Sequence, residues 1–325
     1  MSADSIALAM MLKNEEKGLV ALLDSIEAQS QRPDEVVICD NGSTDGTMQI
    51  LDEWKDTTDL HVTLIEEPEA NIAKGRNIAI SATSASIICV ADGGCVLDRE
   101  WVEKISEPLG NGNEPVGIVY GVMIAIGENM IGRQFAALHH IKTHGEDIDD
   151  FEHTGGSVAF TRNAWERVGG YPEWLTLAGE DTIFFRNVEK ILGSRAAPAA
   201  KVYWYHDEDS LYKIFKKHKR NSIGNGEANL WLMRYLCLIA IYMVAIIGLI
   251  MSLWFPMLLV LVALYLLIVC FRHTAALIRN KTSPIYVFTI IPVITLVRDL
   301  GMITGYLIGF GRRVSKKTGD PARTA

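Results

Sequence analysis

The sequence is poor in the features of a secreted, disulfide-built or nucleic-acid-binding protein. Its five cysteines, Cys39, Cys89, Cys95, Cys237 and Cys270, lack the paired spacing of a disulfide framework or a zinc site, which suits a reducing compartment. Net charge is -8 at pH 7. An acidic chain whose cations gather beside an apolar run is not expected to bind nucleic acid. No basic lead precedes the short apolar run from Ile6 to Leu12, so no signal peptide is expected there. Internal repeats and low-complexity tracts are absent. The largest absence is of charge itself: from Tyr235 to Phe271 there is no Asp, Glu, Lys, Arg or His.

That run is close to twice the roughly 20 apolar residues that one bilayer-spanning helix needs. Trp254, Phe255 and Pro256 interrupt it near the middle, where a hairpin would turn and where aromatic rings favour the membrane interface. The pattern predicts a transmembrane hairpin over 235–271, behind a soluble domain over 1–210 and a basic juxtamembrane segment over 211–234. Lys213, Lys216, Lys217, Lys219 and Arg220 precede the hairpin, and Arg272, His273, Arg279 and Lys281 follow it. The positive-inside rule then puts both ends, and the soluble domain, on the cytoplasmic side of a multi-pass protein. Lys213, Lys216, Lys217 and Arg220 fall on one helical face, suited to lipid headgroups or, for Lys217 and Arg220, to the phosphate of a lipid-linked acceptor.

The remainder, 272–325, holds a third apolar segment from Ile285 to Phe310, long enough to span. Pro292 and the pair Arg298 and Asp299 lie near its middle, where an ion in hydrocarbon is costly. Spanning would also carry Arg312, Arg313, Lys316 and Lys317 outside. The segment is therefore re-entrant, interfacial or spanning, and the charges favour a re-entrant or interfacial pair of short helices.

Ahead of the membrane region, strand and helix patterns alternate. Strands are predicted from Ile6 to Leu12, Glu35 to Cys39, His61 to Glu66 and Ser86 to Ala91, with helices from Glu15 to Gln29, Thr47 to Trp54 and Ile72 to Ala82. Right-handed crossovers turn this βαβαβ order into a mostly parallel sheet with ligands at the carboxyl ends of its strands. Asp40 and Asp92 stand at two such ends. After Asp40, Gly42 and Gly46 let the backbone turn tightly. The Asp40 carboxylate suits a base N–H, or it caps its own turn with Ser43 and Thr44. Asp45 reads as a cap for the helix that begins near Thr47.

Lys-Asn-Glu-Glu at 13–16, Gln29, Val-Ile-Cys-Asp-Asn-Gly-Ser-Thr-Asp-Gly-Thr at 37–47, Gly-Arg-Asn at 75–77, Asp-Gly-Gly at 92–94 with Trp101, and Gly-Glu-Asp at 179–181 form an ordered set. Together they resemble the nucleotide-sugar-dependent glycosyltransferases of family 2. The resemblance implies an α/β, GT-A (Rossmann-like) fold, its mostly parallel sheet flanked by helices and followed by an α-helical transmembrane region. It implies an inverting enzyme that takes a sugar from a nucleoside diphosphate, UDP rather than GDP, to a lipid-linked or cell-envelope glycan acceptor. A polyprenyl-phosphate glycosyltransferase is the neighbouring alternative, with the lipid phosphate as acceptor. A non-catalytic sugar-nucleotide-binding membrane subunit is the alternative from another class.

By that resemblance Asn14 and Glu15 lie beside the nucleotide, although Glu15 also suits the first turn of a helix. Asp40 binds the base, and Arg76, with Lys74 nearby, approaches base and phosphates. Asp92 takes the first place of an Asp-X-Asp motif whose carboxylates bracket the ribose and a divalent cation. Gly94 stands in the last place and puts Mg²⁺ or Mn²⁺ dependence in question, since the protein then offers one carboxylate where one or two are usual. His206 resembles a histidine that follows the catalytic motif, as a second metal ligand or a diphosphate contact. Gly156, in the stretch His153, Thr154, Gly155, Gly156, Ser157, resembles the loop that donor sugar and acceptor approach. Glu180 and Asp181 resemble the catalytic-base motif, with Asp181 as the base and a helix N-cap as its other reading. Trp174 suits either a sugar face or the core.

Overall fold

Alternation of large and small side chains sets how β1 (Ile6–Leu12) is packed. Ile6, Leu8, Met10 and Leu12 face one side of the sheet, while Ala7 and Ala9 face the other. The large side chains meet α1 (Glu16–Glu27), whose Leu19, Leu22, Leu23 and Ile26 recur at helical spacing and are buried with Leu51 of α2 (Thr47–Thr57). The alanines leave room on the opposite side for α3 (Ile72–Ser81), which buries Ala73, Ala79 and Ile80. Period-two and period-3.6 patterns thus interlock across one sheet.

The computed structural model describes residues 4–110, 116–140, 155–271, 277 and 282–316. They fall into two units, one of 1–126, 142–176 and 180–206, the other of 127–141, 177–179 and 207–325. His153, Thr154, Arg272, His273, Arg279, Lys281 and Lys317, singled out above, lie outside the described residues.

The first unit holds an eight-stranded sheet. Its strands are β1, β2 (Glu35–Asp40), β3 (Val62–Glu66), β4 (Ile87–Ala91), β5 (Cys95–Leu97), β6 (Ile118–Ile126), β7 (Ser157–Thr161) and β8 (Ser194–Tyr205), in the order β3-β2-β1-β4-β7-β6-β8-β5. Strands β3, β2, β1 and β4 run parallel, as do β6 and β8. Strands β7 and β5 oppose their neighbours, so the sheet is mixed, with four of its seven neighbouring pairs parallel. The helices α4 (Trp101–Gly110), α6 (Arg162–Val168) and α7 (Glu180–Leu192) complete this unit.

The second unit is helical: α5 (Met130–His140), α8 (Leu211–Ala228), α9 (Leu232–Met251), α10 (Leu258–Cys270) and α11 (Pro284–Lys316). This unit includes α5 and resumes at residue 207, after the sheet unit ends at 206. The physical reason is the apolar face of α5, where Phe135 meets His218 and Lys217 of α8 with ring centroids 5.9 Å apart and the Lys217 ammonium 5.8 Å from the Phe135 ring.

Two features of the apolar region bear on its membrane reading. The described second arm of the hairpin, α10, has 13 residues, about 20 Å at 1.5 Å per residue, short of a hydrocarbon core of about 30 Å. Among the described residues, the helices long and apolar enough to cross a membrane are Leu232–Met251 and Pro284–Ser315. The latter is one continuous helix, not a pair of short ones, although Pro292 lies inside it. Asp299, the ion that argued against continuity, is buried and paired: Tyr242 of α9 donates to it at 2.9 Å, and Arg298 lies 3.4 Å away.

Helices α8 and α11 touch through their backbones. A Cβ on Gly305 would lie 2.2 Å from the Lys219 carbonyl oxygen, and one on Gly309 would lie 2.0 Å from that of Ile223. Tyr235 of α9 stacks on Tyr306 at 3.9 Å and shares its hydroxyl with Ser222 and Asn225. Gly309→Ala is therefore expected to destabilise the protein by about 1–3 kcal/mol. Gly311→Ala, where nothing lies within 4 Å, is expected to be neutral or to gain up to about 1 kcal/mol from helix propensity. Thermal melting in detergent checks both, and equal effects of the two would contradict the packing described.

Candidate active site

The parallel strands β1, β2 and β4 deliver their carboxyl ends to one edge of the sheet. Because β7 runs against β4, with Ala91 opposite Ser157, the start of β7 arrives at the same edge. Gly155 and Gly156 therefore stand beside Asp92. A Cβ on Gly156 would lie 2.9 Å from Asp92 Oδ2, and one on Gly155 would lie 3.1 Å from the Arg76 guanidinium and 3.2 Å from Asp181 Oδ2. Only backbone fits between these charged groups.

Arg76, on α3, is their centre. Arg76 is 5% exposed, and its guanidinium lies 2.6 Å from Asp92 Oδ1 and 2.8 Å from Glu180 Oε1. The face of Tyr171 lies 5.4 Å away, a cation–π contact in a desolvated place. Tyr171 in turn stacks on Phe184 of α7 at 4.2 Å. Asn77, one residue beyond Arg76, holds the Tyr171 backbone from both sides: its amide donates to the carbonyl at 2.9 Å, and its oxygen accepts from the N–H at 2.9 Å. Asp181 accepts from the Thr182 N–H at 2.6 Å in the first turn of α7.

Three carboxylates, Asp92, Glu180 and Asp181, thus surround one guanidinium. Burial disfavours the Arg76 cation, but Asp92 and Glu180 more than offset that and hold it charged. For Glu180 the balance runs the other way. Burial and the neighbouring Asp181 outweigh the pull of Arg76 and push its carboxyl up to about 7. The cluster has more negative charge than it can neutralise, which favours a proton or another cation.

The turn after β2 is built by the residues expected to read a base. Asp40 is 2% exposed. Its carboxylate accepts from the N–H groups of Gly42 at 2.9 Å and Ser43 at 2.8 Å, and from the Ser43 hydroxyl. Asn14, at a left-handed φ of 57°, accepts from the Thr44 N–H at 2.8 Å and ties β1 to that turn. The N–H of Glu15 donates to the Thr47 hydroxyl at 2.8 Å. Its carboxylate lies along the Asp-Gly-Gly loop, where a Cβ on Gly93 would come within 2.5 Å of Oε1. Asp45 accepts from the Thr47 N–H at 3.1 Å and caps α2 as expected.

Other candidates stand apart from the cluster. Lys74 pairs with Glu67 at 2.8 Å and points outward. His206 is buried at the end of β8, its ring 5.2 Å from that of Trp204. Among the described residues, neither Asp92 nor His206 belongs to a group of three or more metal-ligating side chains. Asp92 keeps one carboxylate oxygen beyond its bond to Arg76, which fits an ion that takes its remaining ligands from phosphates and water. In the second unit, Lys217 pairs with Glu208 at 3.1 Å, and burial lowers its pKa. Arg220 is exposed, so the two share no one environment. Trp174 is 44% exposed and has no core role. Trp101 is the buried aromatic, donating to Ser157 Oγ at 2.9 Å. Tyr171 is the residue that the sequence analysis missed: it directly follows Gly169 and Gly170, a position that gives no hint of Arg76.

Residues 8–169 match the profile of Glycosyl transferase family 2. The chain carries a glycosyl transferase family 2 domain, and the protein is a glycosyltransferase. This glycosyltransferase is 23% identical over 257 residues to glycosyltransferase AglE of Haloferax volcanii, covering 74% of this chain and 79% of AglE. It is also 23% identical over 163 residues to glycosyltransferase GlyA of Streptococcus pneumoniae, covering 50% of this chain and 22% of GlyA. Among solved structures, mannosyltransferase PcManGT from Pyrobaculum calidifontis, in complex with GDP-Man and Mn²⁺, matches with a TM-score of 0.58 at 18% identity, over 98% of this chain and 88% of its own. The shared feature is the fold, a GT-A-like mixed sheet between helices.

Folded Glu180 holds its proton up to about 7, against an ordinary value of 4.5. The native state binds more protons than the unfolded state between those values, so this group makes stability fall as pH rises through that window. Glu180→Gln is expected to flatten that slope in melting temperatures measured from about pH 4 to about pH 8. An unchanged slope would contradict the environment described.

Proposed function

We propose that this glycosyltransferase is membrane-anchored and inverting, and moves a sugar from a nucleoside diphosphate to a lipid-linked or cell-envelope glycan acceptor. The observation that carries it is the Arg76 clamp, which gathers Asp92, Glu180 and Asp181 beside the bare backbone of Gly155 and Gly156. A reaction at a sugar's anomeric carbon needs this combination: a carboxylate for the incoming hydroxyl, and room for two substrates where side chains are absent.

Asp181 takes the proton of the acceptor hydroxyl as its oxygen bonds to the anomeric carbon, and the bond to the nucleoside diphosphate breaks on the opposite face. Glu180, paired with Arg76, fixes the start of α7 and so the direction of Asp181. Arg76 acts as the clamp rather than as a diphosphate ligand, since both ends of its fork are taken. The turn that Asp40 organises, with Asn14 and Glu15, forms the nucleotide end of the pocket. Asp92 would hold a divalent cation, which when bound would supply charge neutralisation for the leaving diphosphate. Helices α9 and α11 anchor the chain, with the sheet unit on the cytoplasmic side where the basic residues of α8 meet anionic headgroups.

A panel of nucleotide sugars, offered with membrane lipids and Mg²⁺ or Mn²⁺, tests the reading through diphosphate release. Wild-type release with one donor is expected, and Asp181→Asn should lower it by about 10²–10⁴-fold. Undiminished release by Asp181→Asn would sink the base assignment. Binding of a donor with no release under any condition would favour a non-catalytic subunit, and transfer to polyprenyl phosphate alone would identify the lipid phosphate as acceptor. EDTA is expected to abolish turnover and excess Mn²⁺ to restore it, whereas turnover indifferent to EDTA would remove the cation from the reaction.

A further inference from the structure

Glu180 and Asp181 stand one and two residues after a short segment, 177–179, that belongs to the helical unit. That segment, Leu177, Ala178 and Gly179, brings its backbone against α8 at Ala178. A Cβ on Gly224 would come 1.9 Å from the Ala178 carbonyl oxygen, 2.6 Å from its carbon and 2.8 Å from the Ala178 nitrogen. These are main-chain atoms, which cannot swing aside as the end of a flexible side chain can. Gly179 follows at a φ of +94°, a conformation that L side chains rarely adopt. Its α-carbon faces the same helix end, where an added Cβ would lie 3.3 Å from Leu230 Cδ1 and 3.6 Å from Asn225 Oδ1. Leu230 is buried, its N–H donating to the Asn225 carbonyl at 2.8 Å, and Asn225 is held by the Tyr235 hydroxyl at 2.9 Å.

We propose that Gly224 is a positioning residue of the transfer reaction, because α8 seats residues 177–179 and so fixes the backbone from which Glu180 and Asp181 project. Planar peptides leave two soft dihedrals per residue, so a seat one bond away from Glu180 carries over directly to the carboxylates. Displacement of a catalytic group by about 1 Å costs on the order of 10²-fold in rate. This inference rests on the assignment of Asp181 as the catalytic base.

The test uses the full-length protein in detergent with two variants that disturb the seat in opposite ways, Gly224→Ala by crowding it and Leu230→Ala by loosening it. Gly224→Ala is expected to lower kcat by about 10–100-fold with donor affinity within about twofold of wild type. Leu230→Ala should lower kcat several-fold in the same pattern, and Gly311→Ala should leave it unchanged. Hydrogen exchange gives a reading that does not depend on turnover: amides 177–183 should exchange faster in both seat variants while those of 214–220 keep their protection. If Gly224→Ala fails to fold, Leu230→Ala carries both readouts. Unchanged exchange at 177–183, or kcat of both variants within about twofold of wild type, would overturn the proposal. A wild type without turnover would sink the glycosyltransferase mechanism instead, and hydrogen exchange would still decide the seat.

Discussion

One guanidinium holds the site together. Arg76 reaches Asp92, 16 residues away in sequence, and Glu180, 104 residues away, and no other described group spans both. Its pairing joins the carboxyl end of β4 to the start of α7 through the beginning of α3. Removing one partner of such a buried pair typically costs about 3–5 kcal/mol, because the remaining charge is stranded away from water. Three carboxylates share this one cation, and burial together with the neighbouring Asp181 pushes the Glu180 carboxyl up to about 7.

The second constraint is the absence of side chains at chosen points. Gly155 and Gly156 bring backbone to the carboxylates, and Gly305 and Gly309 bring α11 onto α8. In both units the shape depends on what is missing from a position as much as on what is there. A Cβ at these sites would displace main chain, which rotamer changes cannot relieve.

Much of the sheet unit was legible because its signals are local. The strand from Ile6 to Leu12 has the bounds that the pattern predicts, and the β2 and β4 strands differ by a residue at one end. Asp45 as a cap and Thr47 as the start of α2 were equally readable. What failed was long-range. The continuity of α11 depends on Tyr242, 57 residues before Asp299, accepting the burial of that charge, and no window of sequence displays such a partner. Asp40 offers the same carboxylate whether it reads a base or builds a turn, so only its hydrogen bonds distinguish the roles. Glu180 and Arg76 each carried a motif, yet their pairing left no trace in either.

The measurement that tests the clamp most directly is a double-mutant cycle on kcat/KM with Arg76→Met, Glu180→Gln and the pair. Residues that act as one unit are non-additive, so the double variant should lose little more than Arg76→Met alone. Losses that multiply, with no coupling beyond about 0.5 kcal/mol, would show that Arg76 and Glu180 act independently and would contradict the account.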